Sequence, residues 1–309
     1  MENYGEYHPA YVSSNPTPGA KSNLSFCLHS EPMANSFYMN HNGEISWNQK
    51  FCRDNVIKPG VPKTDYSQIA EYYDKVRPTP ADIWLSKIIE YGKIDANCAV
   101  LDVGCGTGRF TLGISTVKDS IVFALEPSIK MLKQAVAKDE SRNILWIRGD
   151  GQKLPFRGNF FNCIYMTLVI HHIENKEMVL REIYRALKKG GKCVIMTNSH
   201  YRMKKHVLHN FPGVTAIDLK RFPSVLSVKK TMIKNGFRDV HYHIVQRDEG
   251  YMPTDEYLER VRNKYISTLT LLSEEAFQRG LKIFQQRVRR KYGAQIRQIS
   301  GFDFVVGLK

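Results

Sequence analysis

The sequence predicts an α/β fold: a mostly parallel sheet with helices on both faces. Three observations carry that prediction. Short β-rich runs alternate with helical patterns from residue 98 to residue 198, and parallel strands need crossover helices of this spacing. One strand-like run, "VLDV" (100–103), passes directly into Gly104-Cys105-Gly106-Thr107-Gly108 before a helical pattern begins. The acid Glu126 closes the next strand-like run, 18 residues beyond Gly108.

The elements follow in chain order. Residues 1–60 are rich in Ser, Asn, Pro and Gly without a sustained period, and "SSNPTPGAKSN" (13–23) reads as a flexible leader. "YSQIAEYYDKVRP" (66–78) sets Ile69, Tyr72 and Tyr73 at helical spacing and ends at Pro78. A second helix, over 80–93, carries Ile83, Trp84, Ile88 and Tyr91 on one face with Gly92 as its stop. Strands are expected at 98–103, 120–126, 144–149, 161–168 and 192–198. Between them lie helices over 107–117, from Pro127 with Met131, Leu132 and Ala135, and over 174–191. The last starts acidic, ends basic and stops at Gly190-Gly191, which suits the helix dipole and its cap.

Beyond residue 198 the alternation breaks. Residues 199–224 read as an irregular cover segment, 225–236 as a helix, and 237–245 and 301–309 as strands six and seven. Two helices fall between those strands. One starts at Thr254 with Asp255 and Glu256 in its first turn, and the other at Ser273 with Phe277, Leu281, Phe284 and Val288 as an apolar stripe.

The net charge of +15 is unevenly placed. Residues 1–180 hold 19 cations and 19 acids, whereas 181–309 hold 26 cations and 11 acids. An anionic substrate, a nucleic acid or an acidic membrane surface near the C-terminal part would explain this, and so would a solvated basic face. Part of it has a local reason: the cations of "RVRRKYG" (287–293) suit the last turn of a helix capped by Gly293. The longest uncharged apolar run, "FNCIYMTLVI" (161–170), is too short to cross a bilayer, and no secretory signal opens the chain. Six cysteines (27, 52, 98, 105, 163 and 193) are scattered without a C-x-x-C pair. They read as reduced thiols of a cytoplasmic protein, with no metal site expected.

The glycine turn has a mechanical purpose. Glycine admits positive φ and lets a ligand lie against bare backbone, and the helix that follows offers unpaired N–H groups. The turn therefore reads as the floor of a nucleotide-like pocket at the carboxyl ends of parallel strands. Glu126 stands where an acid accepts both hydroxyls of a ribose. Two features set this apart from a nicotinamide site. The spacing is G-x-G-x-G, and Asp150, in "RGDGQKLPF", stands just past the third strand, where an acid could accept a proton from an adenine amine.

Taken together, "VLDVGCGTGRF", "FALEPS", "GDGQKLPF", "FNCIYMTLVIHHI" and "REIYRALKKGGKCVI" resemble the class I S-adenosylmethionine-dependent methyltransferases. The resemblance runs from about residue 66 to 200 and is strongest to the small-molecule branch with quinone-ring and fatty-acid-type members. It implies a Rossmann-like, seven-stranded sheet with an antiparallel last strand, over a domain of residues 66–309. It also implies lid inserts at 199–224 and 251–293. S-adenosylmethionine would be the methyl donor and S-adenosylhomocysteine the product. Asp102 would reach the donor's methionine end and Gly104, Cys105, Gly106 and Gly108 would form the floor. Glu126 and Pro127 would meet the ribose, Asp150 and Gly151 the adenine, and Met166, Thr167 and Leu168 would lie beside the sulfonium. Tyr73 and Arg77, in the helix that lies across the donor in relatives, would contact its methionine end.

A sulfonium methyl is already electrophilic, so the protein must chiefly align the acceptor with the S–CH3 bond and exclude water. A general base is needed only for an acceptor whose proton must leave. His171 and His172, just past the fourth strand, are the candidates, with packing of the loop as their alternative role. The expected acceptor is a small molecule, and the basic lid segments favour one bearing a carboxylate or phosphate. A nucleic-acid methyltransferase is the runner-up, supported by the charge and by "YRMKKHVLH" (201–209). Against it, "MTLVIHHI" stands where amino-group methylases of bases carry an Asn/Asp-Pro-Pro-aromatic motif. Arsenite methylation needs more free thiols than four buried cysteines leave, and a non-catalytic cofactor sensor would not need every pocket residue. Monomer and homodimer both fit the sequence.

Overall fold

The computed structural model describes residues 37–38, 70, 73–74, 80, 82–140 and 143–309. Its centre is an eight-stranded sheet in the order β1-β4-β3-β2-β5-β6-β8-β7. Strands β2 (Ala99–Val103), β3 (Ile121–Glu126), β4 (Ile144–Arg148), β5 (Phe161–Thr167) and β6 (Leu187–Thr197) are parallel. β8 (Gln295–Leu308) runs antiparallel to both β6 and β7 (Arg238–Pro253). The two-residue strand β1 (Phe37–Tyr38) adds an antiparallel edge beside β4, so one piece of the expected leader lies on the sheet. The remainder of 1–60, and most of the helix expected over 66–78, fall outside the described residues.

Strand order reverses at β2, which lies between β3 and β5. Helices α1 (Asp82–Gly92), α2 (Thr111–Ile114) and α3 (Ile129–Ala137) accompany one face, where Trp84, Ile88, Ile114, Leu132 and Ala135 join Val100, Ala124 and Tyr165 in one core. Helices α4 (Lys176–Ala186) and α7 (Val225–Lys234) cover the other face, with Val179, Ile183, Val228 and Met232 against Leu101, Phe123, Ile164 and Ile195. Reversal of order opens a crevice at the carboxyl ends of β2 and β5, the place where sheets of this kind bind ligands.

Several elements differ from the sequence reading. The helix expected over 107–117 is the single turn α2. Ser115 and Thr116 turn their hydroxyls onto the carbonyls of Leu112 and Gly113, a competition that weakens helices. α4 ends at Ala186 instead of running to Gly191, because Leu187 already pairs with Phe161 in the sheet. Gly190 and Gly191 instead exchange backbone bonds with Lys309. β7 and β8 extend well past 245 and before 301, pairing as far as Pro253 with Gln295 and forming a long two-stranded arm.

The segment expected to be irregular, 199–224, holds α5 (His200–Lys205), a 3-10 turn (Val207–Asn210) and α6 (Val214–Arg221). Side-chain oxygen of Ser199 caps α5 by accepting the Arg202 amide. These short helices pack on α8 (Thr254–Arg262) and α9 (Glu274–Tyr292). Leu208, Phe211 and Val214 meet Tyr257, Leu258, Phe277, Leu281, Phe284 and Val288 in a core of their own. Two cover segments far apart in sequence therefore form one small body at the carboxyl end of the sheet.

Candidate active site

The glycine turn follows β2 at the crevice. Gly104, Gly106 and Gly108 all take positive φ, at 76°, 59° and 76°. Their roles differ. A Cβ on Gly104 would stand 2.7 Å from Val169 and one on Gly108 2.7 Å from Trp146, so both glycines allow close packing. A Cβ on Gly106 would meet nothing nearer than Met131 Cε at 3.7 Å. Only the middle glycine leaves open space above the turn, the cradle that an extended ligand requires.

Glu126 holds this turn from the next strand. Its Oε2 accepts the Gly106 amide and its Oε1 the Ser128 amide, both at 2.9 Å. An ionised carboxylate has about four acceptor positions, so two remain for hydroxyls. Burial raises its pKa, and the two amides work against that shift. Pro127, next in the chain, is exposed, and its carbonyl accepts Arg148 Nε at 3.3 Å.

Asp102 is fully buried in β2. Thr111 Oγ1 donates to its Oδ2 at 2.7 Å, while its Oδ1 has no hydrogen-bond partner among the described residues. Tyr165, its register partner on β5, brings a hydroxyl near it that is in hydrogen-bond geometry with none of the described residues. Burial raises the Asp102 pKa to about 7, against the pull of these hydroxyls. A buried acceptor left open beside an open glycine is what the ammonium end of a ligand would fill. Cys105 turns into the core, its thiol pKa pushed up by burial.

Asp150 is exposed and accepts the Gln152 backbone and side-chain amides at 2.8 and 3.1 Å. Gly151 is buried, and a Cβ there would lie 2.9 Å from Val103, so this loop presses against the end of β2. Met166 is buried on the α4 face, Thr167 pairs with Met196, and Leu168, at φ 58°, donates its amide to the Met196 carbonyl at 2.9 Å. Tyr73 lies half-buried in a turn with Asp74. Arg77 lies outside the described residues. Asp74, which the sequence reading passed over, accepts Thr107 Oγ1 at 2.7 Å and Lys138 Nζ at 2.6 Å. It ties the chain before α1 to the glycine turn, 33 residues away; its only signal was its place beside Tyr73.

The loop after β5 reaches the cover. The His171 ring stacks on Phe222, with centroids 3.7 Å apart and planes at 15°, and the His172 ring is tilted beside it at 3.9 Å. His200 Nε2 is 2.8 Å from the Phe222 carbonyl. Asp303 of β8, buried, accepts the Ser199 amide at 2.6 Å, Arg202 Nε at 3.2 Å and the Tyr242 hydroxyl at 2.7 Å. The first cover helix is thus anchored to the sheet beside the end of β6. Among the described residues, no three His, Cys, Asp or Glu side chains gather as metal ligands would. The described cysteines 98, 105, 163 and 193 are all buried free thiols.

A parallel sheet reversing at β2, with a glycine turn held by the acid of the next strand, matches the Rossmann-like methyltransferase fold, and the chain is an S-adenosylmethionine-dependent methyltransferase. Residues 101–195 match the family described as a methyltransferase domain. The chain is similar to the ubiquinone/menaquinone biosynthesis C-methyltransferase UbiE of Blochmanniella floridana, with 27% identity over 60% of this chain and 85% of that protein. Among solved structures it is similar to an Anabaena variabilis protein provisionally assigned as a methyltransferase of an antibiotic biosynthesis pathway. The TM-score is 0.61, with 20% identity over 75% of this chain and 98% of that one. It is also similar to phosphoethanolamine N-methyltransferase 2 of Haemonchus contortus in complex with phosphomonomethylethanolamine and S-adenosylhomocysteine. There the TM-score is 0.52, with 18% identity over 79% of this chain and 57% of that one. At these identities the two structures speak for the fold. No helix among the described residues is long and apolar enough to cross a membrane.

Proposed function

We propose that the enzyme methylates a small acceptor with an electron-rich ring of the hydroquinone kind, held between the loop after β5 and the cover. The observation that carries this reading is the stack of His171 on Phe222, which sets an aromatic wall and an imidazole at the carboxyl end of β5. The similarity to a quinone-ring C-methyltransferase supports the same class of acceptor.

Bound in the crevice, S-adenosylmethionine supplies an electrophilic methyl group. Asp102 Oδ1 takes the ammonium of its methionine end and Glu126 the ribose diol. Gly106 gives room for the chain between them, and Asp150 and Gly151 flank the base. Met166, Thr167 and Leu168 bring backbone to the reacting centre. His171 accepts the proton of an acceptor hydroxyl, and the electron density this releases attacks through a ring carbon. With the donor bound, the C–CH3 bond would form as S–CH3 breaks to give a neutral thioether; the ring proton would pass to water, and the product phenolate would take back the proton held by His171. Alignment of two held reactants accounts for about 7–11 kcal/mol of barrier lowering, and the base for roughly 10²–10⁴-fold in rate.

The basic half of the chain does not by itself argue for an anionic acceptor. Half-buried Arg202 is already engaged by Asp303, and buried Arg221 by Asp218, Ser267 and Thr268. The test is transfer of a labelled methyl group to a demethylated hydroquinone. Its oxidised quinone, which has no hydroxyl proton to lose, is the control. Labelling of the hydroquinone alone is expected. Tight S-adenosylhomocysteine binding without labelling of any hydroquinone would remove this acceptor class and leave the cofactor site standing.

A further inference from the structure

We infer that the face formed by α5, the start of α7 and the first half of β7 is a docking surface for an anionic lipid bilayer. The observation is a patch of exposed apolar side chains set among lysines. Tyr201 is 67% exposed, Leu226 70%, Ile244 57% and Tyr242 38%. They belong to three elements, yet the contacts around Asp303 and His200 bring them to one edge. Tyr242 and the Ser199 amide at the start of α5 share the Asp303 carboxylate. Ile244 is the register partner of Asp303 and lies on the same sheet face. His200, beside Tyr201, meets the Phe222 carbonyl two residues before the Ser224 cap of α7, the helix that carries Leu226.

The charge around this patch is one-sided. Residues 199–234 contain eight Lys or Arg and a single acid, Asp218, which is bonded to Thr268 and Arg221 within the cover. Lys204, Lys205 and Lys230 are exposed on the same helices. Farther along the β7–β8 arm, Asp248 is engaged by Arg297 and Glu249 by Arg247. Exposed aromatic and aliphatic side chains among lysines are the composition of a bilayer interface site, where the apolar groups enter the headgroup boundary and the cations meet anionic lipid. This charge complementarity favours a membrane over a second copy of the chain, whose own face would repel. The patch adjoins Phe222 and hence the loop carrying His171, so a docked enzyme would present the cover edge of its acceptor site to the lipid.

Co-sedimentation of the full chain with vesicles tests the inference. Vesicles of phosphatidylcholine alone are compared with vesicles of equal parts phosphatidylcholine and phosphatidylglycerol. Binding to the anionic vesicles only is expected. Lys204→Ala/Lys205→Ala is expected to weaken it about 30-fold, each surface lysine contributing roughly a factor of five. Tyr201→Ser/Leu226→Ser is expected to abolish the fraction that survives added salt. Both variants should bind S-adenosylhomocysteine and melt as the parent does, so that lost docking is not lost folding. Equal binding to both vesicles, no binding to either, or anionic binding unchanged in both variants overturns the inference. Capture of bulk RNA at the same ionic strength by protein that ignores vesicles assigns the surface to nucleic acid instead.

Discussion

Glu126 Oε2 accepts the Gly106 amide at 2.9 Å, so the acid that closes β3 is part of the glycine turn before any ligand arrives. The ribose-binding role proposed for Glu126 would therefore share one side chain with a structural role. Glu126→Ala therefore leaves the Gly106 and Ser128 amides without their acceptor, at about 1–3 kcal/mol each. A lower melting temperature is expected together with at least tenfold weaker S-adenosylhomocysteine binding by calorimetry. Glu126→Gln, which keeps one acceptor oxygen, should fall between.

Gly106 and Gly108 separate space for a ligand from space for packing. Gly108→Ala drives a methyl into Trp146 at 2.7 Å, and overpacking of this kind costs about 1–3 kcal/mol. Gly106→Ala meets no such wall. It suffers only the left-handed backbone, at roughly 1–2 kcal/mol, but places a methyl where the ligand should lie. Thermal melts and calorimetry on the pair should cross. Gly108→Ala is chiefly unstable, whereas Gly106→Ala remains folded and binds poorly.

Asp102 gives the site a pH dependence of known sign. Its pKa is raised from 3.8 to about 7 by burial, so the folded protein holds a proton that the unfolded chain has lost. Without ligand, this group makes the protein lose stability as pH climbs from about 4 to about 7, with no further change above. Capture of an ammonium needs the ionised form. Affinity for S-adenosylhomocysteine should therefore be roughly tenfold weaker at about pH 6 than at about pH 8. Asp102→Asn should bind weakly at both, without the slope.

His171→Phe keeps a ring against Phe222 and removes the proton acceptor. Turnover of a hydroquinone acceptor is expected to fall about 10²–10⁴-fold, with the melting temperature and S-adenosylhomocysteine affinity unchanged. If turnover persisted, His171 would be a wall of the site and no more.

The central strands and the cofactor turn were legible in the sequence because both are local. "VLDV" and "IVFALE" are short, β-branched-rich runs bounded by turn residues, the pattern of a buried strand, and Gly106 and Glu126 mark the strand ends by chemistry. What was hidden depends on partners distant in the chain. Nothing in "QRDEGYMP" alternates, so its place in β7 is set by the partner strand β8. The helices within 199–224 are too short for periodicity to show, and they exist because α8 and α9 supply the rest of their core. The Asp74 bond to Thr107 and the Asp303 anchor on α5 each join residues 33 or more apart, a relation that no spacing rule conveys.

The separate core of the cover has a consequence for how the molecule is made. Leu208 and Phe211 cannot find their partners until Phe277 and Phe284 have been synthesised, and the Asp303 that anchors α5 comes later still. Contacts this distant form late, after the loop closures that precede them. On the ribosome residues 99–197, which carry the glycine turn, emerge before the cover, and the enclosure proposed for the acceptor would close only as the final strand arrives. The proposed acceptor enclosure is thus the part of the molecule that a truncated chain would lose first.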